Sequence, residues 1–187
     1  VEGVDVDCYI GTDNVKAGKE AGDYLVEKVG DGAQIAILEG IPGASSAIDR
    51  AEGFHQAVDD KLDVVASQTA NYDRAEGLSV TENILQAHPD IKAILSANDE
   101  MALGAIEAVE AAGKVPGKDI LITGFDAGDD AVAAVKDGKM LFTVEQQTTE
   151  MGEMSVETAL KMMKGESVDK ELPIDITLID SETAKNN

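Results

Sequence analysis

The sequence contains few of the residues that several large classes of protein require. It has one cysteine, Cys8, and so cannot form an internal disulfide bond. Aromatic residues make up 3% of the chain, and no apolar run approaches the roughly 20 residues that a membrane-spanning helix needs. These 187 residues therefore do not form a disulfide-rich miniprotein or a helical membrane domain. Because Cys8 lies in the apolar run VDCYIG, we expect a small buried residue rather than a nucleophile.

Positive charge is also scarce. The chain has 15 basic and 37 acidic side chains, which gives a formal net charge of −22. Without a basic patch, binding to nucleic acid or to an anionic membrane surface is not expected. Hydrophobic residues make up 43% of the chain, which is too many for a disordered acidic tail. The length suits a single domain or one lobe of a larger protein.

Catalytic and metal-binding patterns are missing as well. The two histidines, His55 and His88, do not follow predicted strands, so a catalytic triad has little support. No HExxH, CxxC or EF-hand spacing occurs. We therefore predict a protein that is not an enzyme and that needs no metal or cofactor. The acidic pair Asp129–Asp130 is interpreted as the start of a helix.

Short apolar runs alternate regularly with segments of helical periodicity. The predicted strands are Asp7–Gly11, Gln34–Leu38, Val64–Gln68, Ala93–Ala97, Ile120–Gly124, Leu141–Glu145 and Ile174–Ile179. The predicted helices are Val15–Val29, Ala47–Asp60, Arg74–Ala87, Glu100–Ala112, Asp129–Lys136 and Thr149–Lys164. One of these helices carries an apolar stripe of Met101, Ala105, Ala108 and Ala112. The strands lack clean alternation, which predicts an α/β fold with a doubly wound parallel sheet flanked by helices.

Ligands of such sheets bind beyond the carboxyl ends of the strands. The predicted strand ends collect mainly hydrogen-bonding side chains and one aromatic ring, namely Arg50, Asn71, Tyr72, Asn98, Asp126 and Gln146. Together they offer fixed donors, acceptors and a stacking plate, which suits a neutral polyhydroxylated ligand. Each residue also has a structural interpretation: Asn98 and Asp126 as helix caps, Tyr72 as a core aromatic and Gln146 as a surface amide.

The loop GIPGASS precedes a predicted helix but does not match a phosphate-binding motif. It has neither the GK[ST] ending of a P-loop nor a GxGxxG pattern. We interpret it as a strand-to-helix turn capped by Ser45 or Ser46. Arg50, about one turn into that helix, could point back toward the strand ends.

At these residues the chain resembles the periplasmic ribose-binding proteins, within the sugar-binding receptors of bacterial ABC importers. The matching strings are DNVKAGKEAGDYL (13–25), GIPGASSAIDRAEGF (40–54), SQTANYDRAEGL (67–78), AHPDIKAILSANDEMALGA (87–105), ITGFDAG (122–128) and DGKMLFTVEQ (137–146). The resemblance implies ribose-like monosaccharide contacts at Arg50, Tyr72, Asn98, Asp126 and Gln146. It further implies an importer permease and a chemoreceptor as partners. The implied location is periplasmic or extracellular, with a lipid anchor as one form of attachment and any export signal lying outside these residues.

The family fold has two α/β lobes with sugar bound in the cleft between them, and the resemblance maps this chain onto parts of both. Residues 1–12 correspond to the end of the N-terminal lobe and a hinge crossing, and 13–146 to the C-terminal lobe. Residues 147–177 correspond to a segment of the N-terminal lobe, and 178–187 to a C-terminal tail. Most of the N-terminal lobe has no counterpart, so we expect an incomplete pocket and weak sugar binding by this chain alone.

The helix at 149–164 belongs to that N-terminal segment and is expected to expose an apolar face. This face comprises Met151, Met154, Ala159, Met162 and Met163. Its exposure predicts self-association.

Two other functions share this fold. The effector-binding domain of a lac-repressor-like transcription regulator has the same ND and GFD strings, although AGDD and EQQ fit the transport receptors better. An enzyme is the remoter alternative. For the ligand, the residues leave ribose, allose, inositol and cyclic furanosyl signal molecules open.

Overall fold

The computed structural model describes residues 5–186, which form parts of two compact units. The larger unit contains residues 14–145 and 178–187. The smaller unit contains residues 1–13 and 146–177. Which lobe of a complete receptor each unit represents stays a prediction.

The elements follow one another in a regular order of strands and helices. They are β1 (Tyr9–Thr12), α1 (Asn14–Val29), β2 (Gln34–Glu39), α2 (Ser45–Val58), β3 (Asp63–Thr69), α3 (Arg74–Ala87), β4 (Ala93–Ser96), α4 (Asp99–Ala111), β5 (Leu121–Phe125), α5 (Asp129–Lys136), β6 (Phe142–Gln146), α6 (Thr148–Met163), β7 (Glu171–Ile174) and β8 (Ile176–Asp180), followed by a 3-10 turn at Thr183–Asn186.

The main sheet has six strands in the order β3-β2-β4-β5-β6-β8. The pairings from β3 through β6 are parallel. Its central strands β2, β4 and β5 are largely buried and lack alternation because helices cover both faces, and every residue of β4 is buried. The predicted α/β fold with a parallel sheet flanked by helices is thus confirmed.

The strand order reverses between β2 and β4. The chain passes from β2 outward to β3 on one side, and then returns to β4 on the other side of β2. The connections after β2 and β4 therefore diverge, which leaves a crevice at the carboxyl ends of these strands. This is the point in the fold where a ligand site is expected.

Helices α1 and α2 cross unusually close to one another because glycines lie at the crossing. A Cβ atom on Gly53 would meet the backbone of Val15 and Lys19, and one on Gly18 would meet the backbone carbonyl of Arg50. This close approach fixes the position of α2 on the sheet. It thereby fixes the backbone from which the Arg50 side chain extends.

Three sequence expectations about strands and burial in the two sheets and α4 differ from the structure. The single strand predicted at Ile174–Ile179 is two strands, β7 and β8, and β7 pairs in parallel with β1 in a separate two-stranded sheet. Cys8, expected to be buried, is only half-buried and directly precedes β1 of this small sheet. Ala112 is exposed because it is the C-cap of α4, whereas Met101, Ala105 and Ala108 are buried as predicted.

We expect Gly53→Ala to lower the free energy of unfolding by about 1–3 kcal/mol, since the new methyl group must push α1 and α2 apart. Urea unfolding followed by circular dichroism measures this change. Gly152→Ala is the matched control, because the described part of the chain places no atom within 4 Å of a Cβ on that helical glycine. The control is expected to gain up to about 1 kcal/mol from helix propensity. An unchanged stability of Gly53→Ala would contradict the close crossing.

Candidate functional site

Arg50 lies at the centre of the candidate site. It extends from α2 toward the strand ends, as the sequence suggested, and is only 5% exposed. Its Nε donates to Asn14 Oδ1 at 2.9 Å, and its Nη1 donates to the backbone oxygen of Ala97 at 2.7 Å. Nη1 also lies 3.5 Å from Asp126 Oδ1. The guanidinium is thus fixed by contacts from α1 and from the residues that directly follow β4 and β5.

The environment of this guanidinium is partly aromatic. Its central carbon lies 3.6 Å from the centroid of the Phe125 ring and 6.0 Å from that of Tyr72. Burial lowers the pKa of Arg50 from its ordinary value, and the nearby Asp126 carboxylate opposes that change. Since arginine keeps its proton in proteins, the site contains a permanent buried positive charge.

Tyr72 belongs to a strained turn after β3. Asn71 and Tyr72 have φ angles of 53° and 60°, in the left-handed region that is unfavourable for residues with a side chain. Gly40 makes room for the ring, because a Cβ atom there would collide with it. The Tyr72 hydroxyl lies 3.3 Å from Ser46 Oγ, which holds the outer end of the ring.

The expectation that Ser45 or Ser46 caps α2 is wrong. The helix begins at Ser45 and its N-cap is Ala44, without a capping side chain. Both serines therefore lie inside the first turn, where Ser46 bonds Tyr72 instead. Asn71, also gathered at this strand end, donates through Nδ2 to Glu76 Oε2 at 2.6 Å.

Asn98 serves as the N-cap of α4. Its Oδ1 accepts a hydrogen bond from Met101 N at 2.9 Å, as the capping interpretation requires. Its Nδ2 donates to the backbone oxygen of Tyr72 at 3.4 Å. The cap fixes the amide at the exit of β4, beside the turn that carries Tyr72.

Asp126 occupies a second strained turn, after β5. Its φ is 112° and that of Ala127 is 52°. The capping interpretation is wrong for Asp126, because α5 begins at Asp129 with Gly128 as its N-cap. The Asp126 amide donates to Val144 O at 2.7 Å, and its carboxylate, which is 42% exposed, faces Arg50.

Unlike the other four predicted ligand-binding residues, Gln146 does not lie in the larger unit. It is the last residue of β6 and belongs to the smaller unit, where its Oε1 accepts a hydrogen bond from Thr12 Oγ1 at 2.9 Å. The larger unit thus brings together Arg50, Tyr72, Asn98 and Asp126. Sugar contact by any of the five residues stays a prediction.

The sequence reasoning missed Asp99, a buried carboxylate beside the site. Its Oδ1 accepts from Thr143 Oγ1 at 2.7 Å and its Oδ2 from Gly128 N at 2.8 Å. Burial raises the pKa of Asp99 to about 7, although these two hydrogen bonds and one from the Phe125 backbone favour the charged form. The string ND does not indicate that Asp99 is buried and hydrogen-bonded, because its partners Gly128 and Thr143 lie 29 and 44 residues away.

Residues 5–186 contain no group of three or more potential metal ligands, and no helix with the length and apolar composition to cross a membrane. His55 is half-buried and bonds Asp59 Oδ1 at 2.8 Å. The pair Asp129–Asp130 lies in the first turn of α5, as predicted.

Comparison with known proteins identifies the family. A model of the periplasmic binding protein domain matches residues 2–167. The chain belongs to this family. A ribose import binding protein of Haemophilus influenzae is 50% identical over 172 residues, which are 91% of this chain and 58% of the relative.

Solved structures of the family are also similar. A solute-binding protein from Actinobacillus succinogenes with bound D-allose has a TM-score of 0.90 and 38% identity, with 96% of this chain and 64% of that one covered. A Bacillus halodurans solute-binding protein with bound myo-inositol has a TM-score of 0.88 and 34% identity, with 97% and 63% covered. The chain therefore spans somewhat less than two thirds of the family members it matches.

We expect Asp99 to make stability depend on pH. Its pKa is about 7 in the folded chain and near 3.8 when exposed, so the unfolded chain loses this proton first as the pH rises. The contribution of Asp99 is fully present below about pH 4 and is lost by about pH 7, a change of the order of a few kcal/mol.

Urea unfolding of the wild type and of Asp99→Asn between pH 4 and 8 measures this effect. Because the other titrating groups are common to both proteins, the difference between them isolates Asp99. The stability of the wild type relative to the variant is expected to fall through this range and then level off. A difference independent of pH would show that the pKa of Asp99 is unshifted.

Proposed function

We propose that the protein is the solute-binding component of an ABC sugar importer, with ribose or a similar monosaccharide as its ligand. The observation that carries this proposal is the buried guanidinium of Arg50, which lies against the Phe125 ring near Tyr72 and faces Asp126 at the carboxyl edge of the sheet. The surrounding groups offer fixed hydrogen-bond donors and acceptors and an aromatic ring, which suit the binding of a polyhydroxylated ligand.

The chemistry of these groups matches a neutral sugar. Arg50 offers only donors, the Asp126 carboxylate only acceptors, and the amide of Asn98 offers both. A sugar hydroxyl both donates and accepts, so it can satisfy this mixed set. Tyr72 supplies a ring face for the C–H groups of the sugar. The arginine and the carboxylate balance each other, so the site itself favours no charged ligand.

The relatives support the choice of ligand class and of partner. Their names and bound ligands include ribose, allose and myo-inositol, which are all neutral polyhydroxylated molecules. They also favour an import receptor over the effector domain of a transcription regulator. On this proposal the partners are the importer permease and a chemoreceptor, and the location is periplasmic or extracellular, with or without a lipid anchor.

Ribose titrations of the 187-residue chain, followed by amide NMR, test this function. We expect a dissociation constant weaker than micromolar, with shifts around Arg50, Asn98 and Asp126, because the chain spans only 58% of its relative. Asp126→Asn is expected to weaken binding about 10- to 100-fold, since it replaces one acceptor oxygen by a donor and removes the negative charge that faces Arg50. The matched control Asp130→Asn changes a surface carboxylate that pairs with Arg74 and should bind like the wild type.

Two results would contradict this proposal at different levels. Unchanged affinity of Asp126→Asn would remove Asp126 from the site. An absence of shifts with millimolar ribose, allose and myo-inositol would contradict the sugar-binding function itself.

We further propose that the smaller unit associates with a second copy of the chain through α6. The large apolar residues exposed on this helix are Val156, Leu160 and Met163, which recur every three or four positions and form one stripe. Of the apolar face expected from the sequence, Ala159 and Met163 are exposed, whereas Met151, Met154 and Met162 are half-buried. Exposed apolar stripes of this kind favour association.

Sedimentation velocity across a wide concentration range tests this association. The wild type is expected to form dimers or larger species, and Leu160→Glu should shift the equilibrium toward monomer by burying a charge in the contact. Gly152→Glu, which adds the same charge at an open position of α6, is the control. A wild type that is monomeric at all concentrations would refute this role for α6.

A further inference from the structure

The turn at Asp126–Gly128 is held in a conformation that its residues disfavour. Both Asp126 and Ala127 have positive φ angles, at 112° and 52°. For residues with a side chain, each such angle costs of the order of 1–3 kcal/mol, so the surrounding structure must stabilise the turn. Contacts from outside the turn must therefore keep the Asp126 carboxylate in place.

Hydrogen bonds to a buried pair of side chains supply this restraint. Gly128 N donates to Asp99 Oδ2 at 2.8 Å, and Ala127 N donates to Thr143 Oγ1 at 3.1 Å. The Thr143 hydroxyl in turn donates to Asp99 Oδ1 at 2.7 Å. Two successive amides of the turn are thus bound, one directly and one through Thr143, to the same carboxylate.

We propose that Asp99, together with Thr143, is a positioning residue that holds the Asp126–Gly128 turn and so presents Asp126 to Arg50 and the ligand. This inference rests on the proposed sugar-binding function. Asp99 itself contacts the turn rather than the ligand, and its role is exerted through Asp126.

The chemistry of the pair requires an acceptor at position 99. A threonine hydroxyl has one proton, and because Thr143 accepts from Ala127 it uses that proton to donate to Asp99. Asp99 therefore has to accept on both oxygens, which a carboxylate does and an asparagine cannot. The fold also leaves room for this arrangement, because a Cβ atom on Gly124 would collide with Asp99 Oδ1.

Burial supports the positioning role as well. Asp99 is 5% exposed and Thr143 is fully buried, so water has little access to the two side chains that accept from the turn amides. Asp99 also adds negative charge near Arg50, where it acts together with Asp126 to favour the charged guanidinium. The same carboxylate thus serves the turn and the electrostatic balance of the site.

Amide hydrogen exchange of the ligand-free chain tests the restraint directly. At pH 7.5, we expect Asp99→Asn and Thr143→Val to speed exchange of the Ala127 and Gly128 amides about tenfold or more, while the amides of β2 and β4 stay protected. Thr143→Ser keeps the hydroxyl and should restore protection close to that of the wild type. Unchanged exchange of the two turn amides in Asp99→Asn would overturn the proposal.

A double-mutant cycle with ribose separates positioning from general loss of structure. Asp99→Asn is expected to weaken binding about tenfold in the wild-type background and to have no further effect in Asp126→Asn. An equal loss in both backgrounds would overturn the proposal, because Asp99 would then not act through Asp126. If the wild type binds no ribose, allose or myo-inositol, the proposed function fails, and the exchange result alone decides the role of Asp99.

Discussion

The buried charge of Arg50 constrains the whole site. A charged group removed from water is strongly destabilising unless hydrogen bonds and opposite charge compensate it. Here the compensation comes from Asn14 on α1, from Ala97 O after β4, and from Asp126 after β5. These partners are far apart in the sequence, so the guanidinium is satisfied only when the sheet and its flanking helices are correctly assembled. Stability of the fold and geometry of the site therefore depend on the same contacts.

Helix packing decides where this charge can lie. The glycines at the crossing of α1 and α2 let the two backbones approach closely, and the carbonyl that would meet a Cβ on Gly18 is that of Arg50 itself. The reversal of strand order between β2 and β4 opens the crevice toward which Arg50 extends. A helix held farther out would leave the guanidinium short of the strand ends, where it meets Ala97 O and Phe125.

Much of this arrangement can be predicted from the sequence because it follows from periodicity and topology. Parallel strands end at one edge, so residues after successive strands meet there, and Arg50, Tyr72, Asn98 and Asp126 do so in the larger unit. What sequence reasoning missed depends on contacts between distant residues. Asp99 accepts a hydrogen bond from Thr143, which lies 44 residues away in the sequence. Ser46 bonds the Tyr72 hydroxyl instead of forming the helix cap expected from local chemistry. The division of one predicted strand into β7 and β8 likewise follows from pairing with β1, at the opposite end of the sequence.

Backbone strain is concentrated in this site. Among residues 5–186, the non-glycine residues with positive φ are Asn71, Tyr72, Asp126 and Ala127. They form two turns, each of which carries one candidate ligand-binding side chain at a strand end. Glycine would remove most of the strain at either turn, but it has no side chain to offer a ligand. The structure instead keeps the side chain and stabilises the turn from outside, with Gly40 and Ser46 around Tyr72, and with Asp99 and Thr143 behind Asp126. Within the described chain, non-glycine residues with positive φ angles are confined to these two turns, which supports the proposed role of the turns in ligand binding.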